Sequence, residues 1–197
     1  MPLVSLALPN ADVLLDAHFL PPSAADALLQ ELTDTIAWRH EPIQLFGQQV
    51  LQPRLTAWHG DPAAHYRYSG LALEPQPWTP ALLGLRQQVE AATGARFNSV
   101  LLNLYRHGQD SMGWHADDEP ELGPAPVIAS VSLGATRRFR LRPRNAARTP
   151  HAPVSLDLPS GSLLVMRGAT QQHWQHAVPK TARPASPRLN LTFRLIA

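Results

Sequence analysis

The segment Arg188-Leu-Asn-Leu-Thr-Phe-Arg194 alternates strictly between polar and apolar side chains. A period of two predicts a β-strand, because successive side chains of a strand point to opposite faces of its sheet. The apolar side, which we expect to face the core, consists of Leu189, Leu191, Phe193 and Leu195. The polar side aligns two arginines and an asparagine, and buried arginines are costly unless they are paired. This side therefore needs an acidic partner or an anionic ligand, unless the strand lies at the edge of a sheet in water.

Stretches with the same period recur from residue 97 onward. We predict strands at 97–105, 127–133, 138–142, 154–158, 162–166 and 188–196. The breaks between them are rich in proline and glycine, which are typical of turns and loops. Many short strands without intervening helices predict an antiparallel sandwich or a jelly roll.

Two helices are predicted before these strands. The first starts at the cap-like sequence Ser23-Ala-Ala-Asp26, which is followed by apolar residues at helical spacing. The second starts at Thr79, has Pro80 at its first position and stops at Gly94. Residues 43–73, between the helices, contain short strand-like pieces. The sequence thus predicts an α+β fold that is mainly β, with the helices bracing one face of the sheet.

The composition excludes several classes of protein. With 197 residues, 44% hydrophobic and 16% charged, the chain is globular rather than disordered, and a single domain is the simplest arrangement. It has no cysteine, which excludes disulfide scaffolds, thiolate metal sites and cysteine nucleophiles. The start of the chain makes a poor signal peptide, and no apolar run approaches the roughly 20 residues of a membrane helix. We therefore expect a soluble, cytoplasmic protein.

Positive charge is concentrated in the second half of the chain. Residues 1–97 contain 5 arginines and 9 acids, whereas residues 98–197 contain 12 bases and 6 acids, and Lys180 is the only lysine. Arginine binds carboxylates and phosphates with a planar fork that lysine lacks. The arginines therefore fit an acidic ligand, although a general richness in alanine, arginine and proline explains them equally well.

A candidate metal site lies in the segment Gly113-Trp-His-Ala-Asp-Asp118. His115 and Asp117 are two positions apart, so on a strand their side chains leave the same face. His176 follows 59 residues after Asp117. Two histidines and one carboxylate form the facial triad of non-haem Fe(II) oxygenases, which leaves other positions on the metal open. A surface or turn pair without a metal is the alternative for His115 and Asp117.

The chain carries short motifs in a fixed order, namely Asn103-Leu-Tyr105, His115-Ala-Asp117, Ala129-Ser-Val-Ser-Leu-Gly134, His176 and the alternating segment 188–194. In these motifs, and over about residues 43–197, it resembles the AlkB family of Fe(II)- and 2-oxoglutarate-dependent dioxygenases. The resemblance implies a double-stranded β-helix, or jelly roll, braced by N-terminal helices. It also implies one dioxygenase domain over 1–197, with helical support and nucleotide-recognition hairpins in 1–96 and the catalytic core in 97–197.

The resemblance further implies which residues bind the cofactors. The expected Fe(II) ligands are His115, Asp117 and His176, with His173 beside the site rather than in it. The expected partners of the 2-oxoglutarate carboxylates are Arg188 and Arg194. Further hydrogen bonds to 2-oxoglutarate are expected from Asn103, Tyr105 and Asn190. O2 is the third component that the resemblance implies.

Contacts with a flipped nucleotide are also implied. In a hairpin that resembles that of members acting on duplex DNA, Phe46 is expected to fill the hole left by the base. Arg54 is expected to contact the phosphates or the opposite strand. Tyr68 is expected to stack on the base opposite His173, with Tyr66 nearby. As alternatives, Phe46 and the two tyrosines pack in the core and Arg54 is solvated.

Two acids follow the expected aspartate ligand directly. Asp118 and Glu119 are placed to favour methylated adenine and cytosine, which carry positive charge. The alternative for Asp118 is an ion pair with Arg137 or Arg138.

The resemblance implies oxidative demethylation of N-alkylated bases of the 1-methyladenine and 3-methylcytosine type. The reaction would consume O2 and 2-oxoglutarate and release formaldehyde and succinate. The expected partner is alkylated DNA, with RNA left open, and we expect no membrane partner and a monomer. The alternatives are the same oxygenase chemistry on a protein, lipid or small molecule, and a catalytically silent binding module.

Overall fold

The computed structural model describes residues 3–45, 47–64, 66–68, 71–183 and 185–197, of which 43–45, 66–68 and 71–73 are described by their backbone only. The helices are α1 (Pro22–Thr35), α2 (Pro80–Thr93) and α3 (Thr170–His173), with a short 3-10 helix at Pro120–Leu122. The strands are β1 (Val4–Leu6), β2 (Asp12–Asp16), β3 (Pro42–Leu45), β4 (Gln48–Leu51), β5 (Leu55–Gly60), β6 (Tyr66–Tyr68), β7 (Leu71–Leu73), β8 (Ser99–Tyr105), β9 (Met112–His115), β10 (Ile128–Gly134), β11 (Arg137–Pro143), β12 (Val154–Leu158), β13 (Ser162–Arg167), β14 (Trp174–Val178) and β15 (Arg188–Arg194).

The described strands form two main antiparallel sheets. The larger sheet has the order β1-β2-β13-β10-β15-β8-β5, and the smaller sheet has the order β12-β11-β14-β9. Two separate hairpins, β3-β4 and β6-β7, stand outside these sheets. Non-consecutive neighbours in both main sheets are the arrangement of a jelly roll, as the sequence predicted.

Two apolar clusters fill the space on either side of the larger sheet. In the first, α1 and α2 bury Leu32, Leu82 and Val89 with residues of β8, β10 and β15. In the second, Ile128 of the larger sheet packs with Phe139 of the smaller one. The helices therefore brace one face of the larger sheet, as predicted, and the smaller sheet covers the other. None of the described helices is both long enough and apolar enough to cross a membrane.

Strand β15 lies in the middle of the larger sheet, between β10 and β8. All of its residues are buried, so the alternative of an edge strand in water is wrong. The polar side of β15 therefore faces the space between the two sheets, where it must find partners. Leu195 was expected in the core but follows the last residue of the strand and is 52% exposed.

The predicted elements differ from the observed ones mainly at their ends. The predicted strands in 97–197 are all present, with ends shifted by one or two residues, and α2 has the predicted cap at Thr79 and stop at Gly94. The first helix begins earlier than expected, with Pro21 as its cap instead of Ser23. Strands β1, β2, β9 and β14 were not predicted. Strands β1 and β9 have only 3 and 4 residues, and the sequences of β2 (DVLLD) and β14 (WQHAV) do not alternate between polar and apolar residues.

The first 96 residues, expected to supply helices and hairpins, also supply strands of the larger sheet. Strands β1, β2 and β5 come from the first 96 residues, yet all three belong to the larger sheet. Strand β5 pairs with β8 over its whole length, from Leu55 to Gly60. The first part of the chain thus completes the sheet in addition to supporting it.

Candidate metal centre and cosubstrate pocket

Three side chains that can bind a metal meet between the two sheets. His115 is the last residue of β9, and His176 lies opposite it on β14. Asp117 completes the group, and potential ligand atoms of the three residues all lie within 4.8 Å of one another. The sequence analysis considered His115 and Asp117 on one strand, but β9 ends at His115, so Asp117 lies two residues beyond the strand. The loop after β9 places the Asp117 carboxylate beside the imidazoles of His115 and His176.

The protonation states of this cluster suit a metal. Burial raises the pKa of Asp117, but the positive charge of Arg194 and the neighbouring histidines lower it more strongly, to about 2. Burial lowers the pKa of His176 to about 3, and His115 adds to this effect. A carboxylate that stays ionised and an imidazole that stays neutral are the forms that bind metal ions. Burial and charge therefore favour the ligating form of both groups.

Neighbouring groups orient two of these side chains. The Gln171 side-chain oxygen accepts a hydrogen bond of 2.9 Å from the backbone N–H of Asp117. His115 Nδ1 lies 2.9 Å from the Gly113 carbonyl, so a proton on Nδ1 leaves Nε2 as the free lone pair. Gln171 was not singled out in the sequence, and no local pattern marks it, since it contacts Asp117 across 54 positions.

The metal cluster and the polar side of β15 line one cavity. Its polar lining consists of Asn103, Tyr105, His115, Asp117, Ser130, His176, Asn190, Thr192 and Arg194. Strand β8 supplies Asn103 and Tyr105, which lie opposite Asn190 and Arg188 of β15. The cavity thus combines the residues predicted for the metal with Asn103, Tyr105, Asn190 and Arg194 of those predicted for 2-oxoglutarate. Arg188 is not part of this lining, and its guanidinium lies over the ring of Tyr105, at 5.2 Å from the ring centre.

Arg188 is a buried cation with unused donors. It is 1% exposed, and its Nη2 donates to the Ser132 hydroxyl at 2.9 Å. Its Nε and Nη1 have no hydrogen-bond partner in the part of the chain that the structure describes. Burial lowers the pKa of Arg188, and the nearby charge of Arg137 lowers it further, whereas Tyr105 raises it. Such a group fits a carboxylate ligand, because an anion would satisfy both the charge and the donors.

The two asparagines of the wall differ in what they can offer a ligand. Asn190 Nδ2 donates to the Ser130 hydroxyl at 2.7 Å and to the Val131 carbonyl at 3.1 Å, so both of its protons are used. Its Oδ1 accepts from Thr192 at 3.2 Å. Asn190 was expected to hydrogen-bond to 2-oxoglutarate, but the structure leaves it without a donor for that purpose. Asn103 Oδ1 accepts from Arg54, and Asn103 Nδ2 has no hydrogen-bond partner among the described residues.

Arg54 does not lie where the sequence placed it. It was expected at the phosphates or the opposite strand, with a solvated side chain as the alternative, but it is 4% exposed. Its Nε donates to Asn103 Oδ1 at 2.8 Å, and its Nη1 donates to the Ser111 carbonyl at 3.4 Å. These partners hold the guanidinium against Asn103, which lines the cavity, and away from the surface.

Asp118 also has a different partner from those expected. Arg144 donates to the Asp118 carboxylate and, at 3.0 Å, to the Gln171 carbonyl. Neither expected partner is involved, since Arg138 pairs with Asp157 and Arg137 donates to backbone carbonyls. Arg144 comes from the loop after β11, which the local sequence does not place near Asp118.

The other predicted substrate contacts have the following positions. His173 ends α3, and its Nδ1 lies 3.2 Å from the Thr149 hydroxyl, outside the group of possible metal ligands. Glu119 Oε2 is buried and has no hydrogen-bond partner among the described residues. Tyr66 and Tyr68 belong to β6, which pairs with β7, and their side chains are not described. Phe46 lies outside the described residues.

Comparisons with known proteins show the family of this chain. The model of the 2OG-Fe(II) oxygenase superfamily matches residues 12–194. The chain is 44% identical over 184 residues to human "Alpha-ketoglutarate-dependent dioxygenase alkB homolog 3", and the match covers 90% of this chain and 64% of that protein. It is 42% identical over 179 residues to human "DNA oxidative demethylase ALKBH2", and the match covers 87% of this chain and 69% of that protein. This chain belongs to the AlkB family.

The solved structure "The structure of OsALKBH1" has the same fold as this AlkB-family chain. It matches with a TM-score of 0.63 at 19% identity and covers 98% of this chain and 100% of that one. The jelly-roll prediction is confirmed by this match and by the family. The chain spans 64% of the length of the curated alkB homolog 3 relatives from cattle and humans.

The cofactors of the family are Fe(II), 2-oxoglutarate and O2, and this AlkB-family chain carries groups that fit them. Two imidazoles and a carboxylate, without any thiolate, suit Fe(II). The buried guanidinium of Arg188, with its unused donors, suits a carboxylate of 2-oxoglutarate.

Proposed function

We propose that this protein removes N-linked methyl groups from bases of the 1-methyladenine and 3-methylcytosine type in DNA. The observation that carries the proposal is the shared cavity of His115, Asp117 and His176 with the polar wall of β8 and β15. Relatives at 42% identity over 87% of the chain are named DNA oxidative demethylases. The same oxygenase chemistry on a protein, lipid or small molecule, and a silent binding module, are the other outcomes of the test below.

In this proposal, the residues of the cavity divide the binding work. His115, Asp117 and His176 hold Fe(II). Arg188 and Arg194 bind the carboxylates of 2-oxoglutarate, and Asn103 and Tyr105 add hydrogen bonds. When bound, Fe(II), O2 and 2-oxoglutarate supply an oxidising centre that hydroxylates the N-methyl carbon, and 2-oxoglutarate becomes succinate and CO2. The hydroxymethyl group then leaves as formaldehyde and restores the base. The protein excludes water and fixes the positions of these groups.

The burial of the cluster supports a flipped base as substrate. Asp117 is 2% exposed, so a base inside a duplex must leave the stack to approach it, which is easier for a methylated base that cannot pair. Asp118 and Glu119 are proposed to attract the cationic base, and Asp118 must then exchange Arg144 for it. Phe46, Tyr66, Tyr68 and His173 remain proposed contacts of the flipped base and the gap it leaves.

We also propose that residues 1–197 act as one dioxygenase domain and as a cytoplasmic monomer. The mixed origin of the larger sheet, with strands from both halves of the chain, supports a single domain. The monomer and its compartment rest on the sequence predictions alone.

The test is a repair assay on a defined oligonucleotide. The Fe(II)-loaded protein is incubated with 2-oxoglutarate, O2 and DNA that contains one 1-methyladenine, and the base, formaldehyde and succinate are measured. The proposal expects restored adenine with one formaldehyde per base, and no restoration by His176→Ala. Succinate formation without base restoration would favour another substrate, and the absence of all products would favour a silent module.

A further inference from the structure

The amide of Asn103 has its orientation set by a buried arginine. Arg54 Nε is a donor that cannot accept, so the 2.8 Å bond places Asn103 Oδ1 toward Arg54. The Nδ2 group, with two protons, is then directed away from Arg54. Because Asn103 lines the cavity that contains the metal cluster, Nδ2 is the part of the amide left for a ligand.

Of the two asparagines in the wall of the cavity, Asn103 can donate its amide protons to a ligand. Its neighbour across the β8–β15 pair, Asn190, uses both Nδ2 protons on Ser130 and Val131. Because both Asn190 protons are used, Asn103 is the described asparagine of the wall that can donate an amide hydrogen bond to a carboxylate in the cavity. A rotated Asn103 amide would instead present an oxygen to that carboxylate, which repels it.

The turn that carries Arg54 is itself fixed. The Ser111 N–H donates to the Pro53 carbonyl at 2.9 Å, and Arg54 Nη1 returns a bond of 3.4 Å to the Ser111 carbonyl. On the other side, the Gln52 N–H donates to the Glu41 carbonyl at 3.0 Å. Ser111 comes directly before β9, the strand that ends at His115. Arg54 is therefore held between the base of the β3-β4 hairpin and the start of the metal-binding strand.

We propose that Arg54 is a positioning residue for the cosubstrate. It holds the Asn103 amide so that Nδ2 points at a carboxylate of 2-oxoglutarate, and it acts through Asn103 rather than by touching the ligand. The proposal rests on the proposed function, in which 2-oxoglutarate occupies this cavity. It requires no contact between Arg54 and nucleic acid.

A double-mutant cycle on ligand binding tests this proposal. The binding of 2-oxoglutarate to the Mn(II)-loaded protein is measured by calorimetry for the wild type, Arg54→Met, Asn103→Ala and the double variant. A hydrogen bond to a charged group contributes about 1.5–3 kcal/mol, so each single change is expected to weaken binding by roughly 10- to 100-fold. The double variant is expected to bind no more weakly than Asn103→Ala alone.

Further measurements separate positioning from a general loss of structure. Arg54→Lys keeps a donor and should recover part of the affinity that Arg54→Met loses. The Mn(II) dissociation constant of Arg54→Met should equal that of the wild type. Arg39→Met is the matched control, because Arg39 is close in sequence but its side chain is 62% exposed, and it should leave 2-oxoglutarate binding unchanged.

The outcomes distinguish this proposal from the proposed function. Losses that multiply in the double variant, or wild-type affinity in Arg54→Met, would overturn the role of Arg54 and leave the proposed function intact. A non-additive cycle in a protein that repairs no methylated base would overturn the substrate but keep the role of Arg54. A wild-type protein that does not bind 2-oxoglutarate would overturn both.

Discussion

Arg194 Nη2 donates a hydrogen bond of 2.5 Å to Asp117 Oδ1, although the two residues are 77 positions apart. Arg194 is the last residue of β15, and Asp117 follows β9 of the other sheet. His176 Nε2 lies 3.6 Å from the second carboxylate oxygen. Arg194 of β15 thus holds one oxygen of the Asp117 carboxylate and keeps the group ionised. The other oxygen faces the imidazole of His176, which orients the carboxylate for a metal.

Removing this carboxylate should affect both the metal and the fold. Asp117→Ala is expected to abolish Mn(II) binding, because a facial site loses one of its three ligands. It also takes a buried anion from the Arg194 guanidinium, and breaking a buried pair costs about 3–5 kcal/mol. We expect that loss in the free energy of unfolding, measured with urea in the presence of a chelator.

An exposed ion pair provides the control for Asp117→Ala. Asp157 pairs with Arg138 on the surface, so Asp157→Ala should cost at most about 1 kcal/mol and leave Mn(II) binding unchanged. If metal-free Asp117→Ala were as stable as the wild type, the Asp117–Arg194 pair would not contribute to the fold as inferred.

Arg188 should be needed for the cosubstrate but not for the fold. Truncating one partner of a buried charged pair costs about 2–5 kcal/mol of binding, so Arg188→Met should weaken 2-oxoglutarate binding at least roughly 30-fold. Without the ligand, Met replaces a buried guanidinium that has unused donors, so the free energy of unfolding should be unchanged or higher.

Calorimetry of the Mn(II)-loaded variant and urea unfolding of the ligand-free variant measure these two effects. Arg142→Met, on the arginine that stacks on Trp114 at 4.3 Å, is the control and should bind 2-oxoglutarate normally. Normal affinity in Arg188→Met would remove Arg188 from the cosubstrate site.

Gln171 should tune the affinity for the metal. Gln171→Leu leaves the Asp117 N–H without its 2.9 Å acceptor, so the carboxylate loses part of its support. Changes to such supporting groups typically cost 10- to 100-fold in metal affinity. Competition of Mn(II) with a chelator measures this loss. Gln172→Leu is the neighbouring control, since Gln172 bonds to the Pro124 carbonyl, and an equal loss in both variants would contradict a specific role of Gln171.

The free energy of unfolding should fall at acidic pH because Glu90 becomes protonated. Burial raises the pKa of Glu90, but hydrogen bonds from the Phe97 N–H, Arg86 and Arg96 lower it below its ordinary value of 4.5. A depressed pKa means that Glu90 stabilises the fold above its ordinary pKa, and this contribution is lost as the pH falls through the lowered value.

The measurement is the free energy of unfolding of the wild type and Glu90→Gln as a function of pH. Their difference should be constant above about pH 5 and should shrink below about pH 4. A difference that stays the same down to pH 3 would show that the charge of Glu90 does not contribute.

Local patterns predicted the two long helices, most strands of residues 97–197, and His115 and Asp117 as candidate metal ligands. The alternation in β15 predicted a strand with one polar side, and Thr79, Pro80 and Gly94 predicted both ends of α2, because strand period and helix capping depend on neighbours in sequence. The resemblance to the AlkB family predicted which histidine joins His115 and Asp117. Strands without polar–apolar alternation, such as β14 (WQHAV), gave no comparable signal.

The sequence by itself determined which residue types lie on the polar wall, and the tertiary structure decided what each of them is free to do. Arg54 and Arg188 look alike in sequence, but one is committed to Asn103 and the other keeps unused donors. Asn190 and Asn103 differ in the same way. The physical reason is that the hydrogen-bond partners of these residues come from segments far apart in the chain, which become neighbours only when the strands of the larger sheet pair.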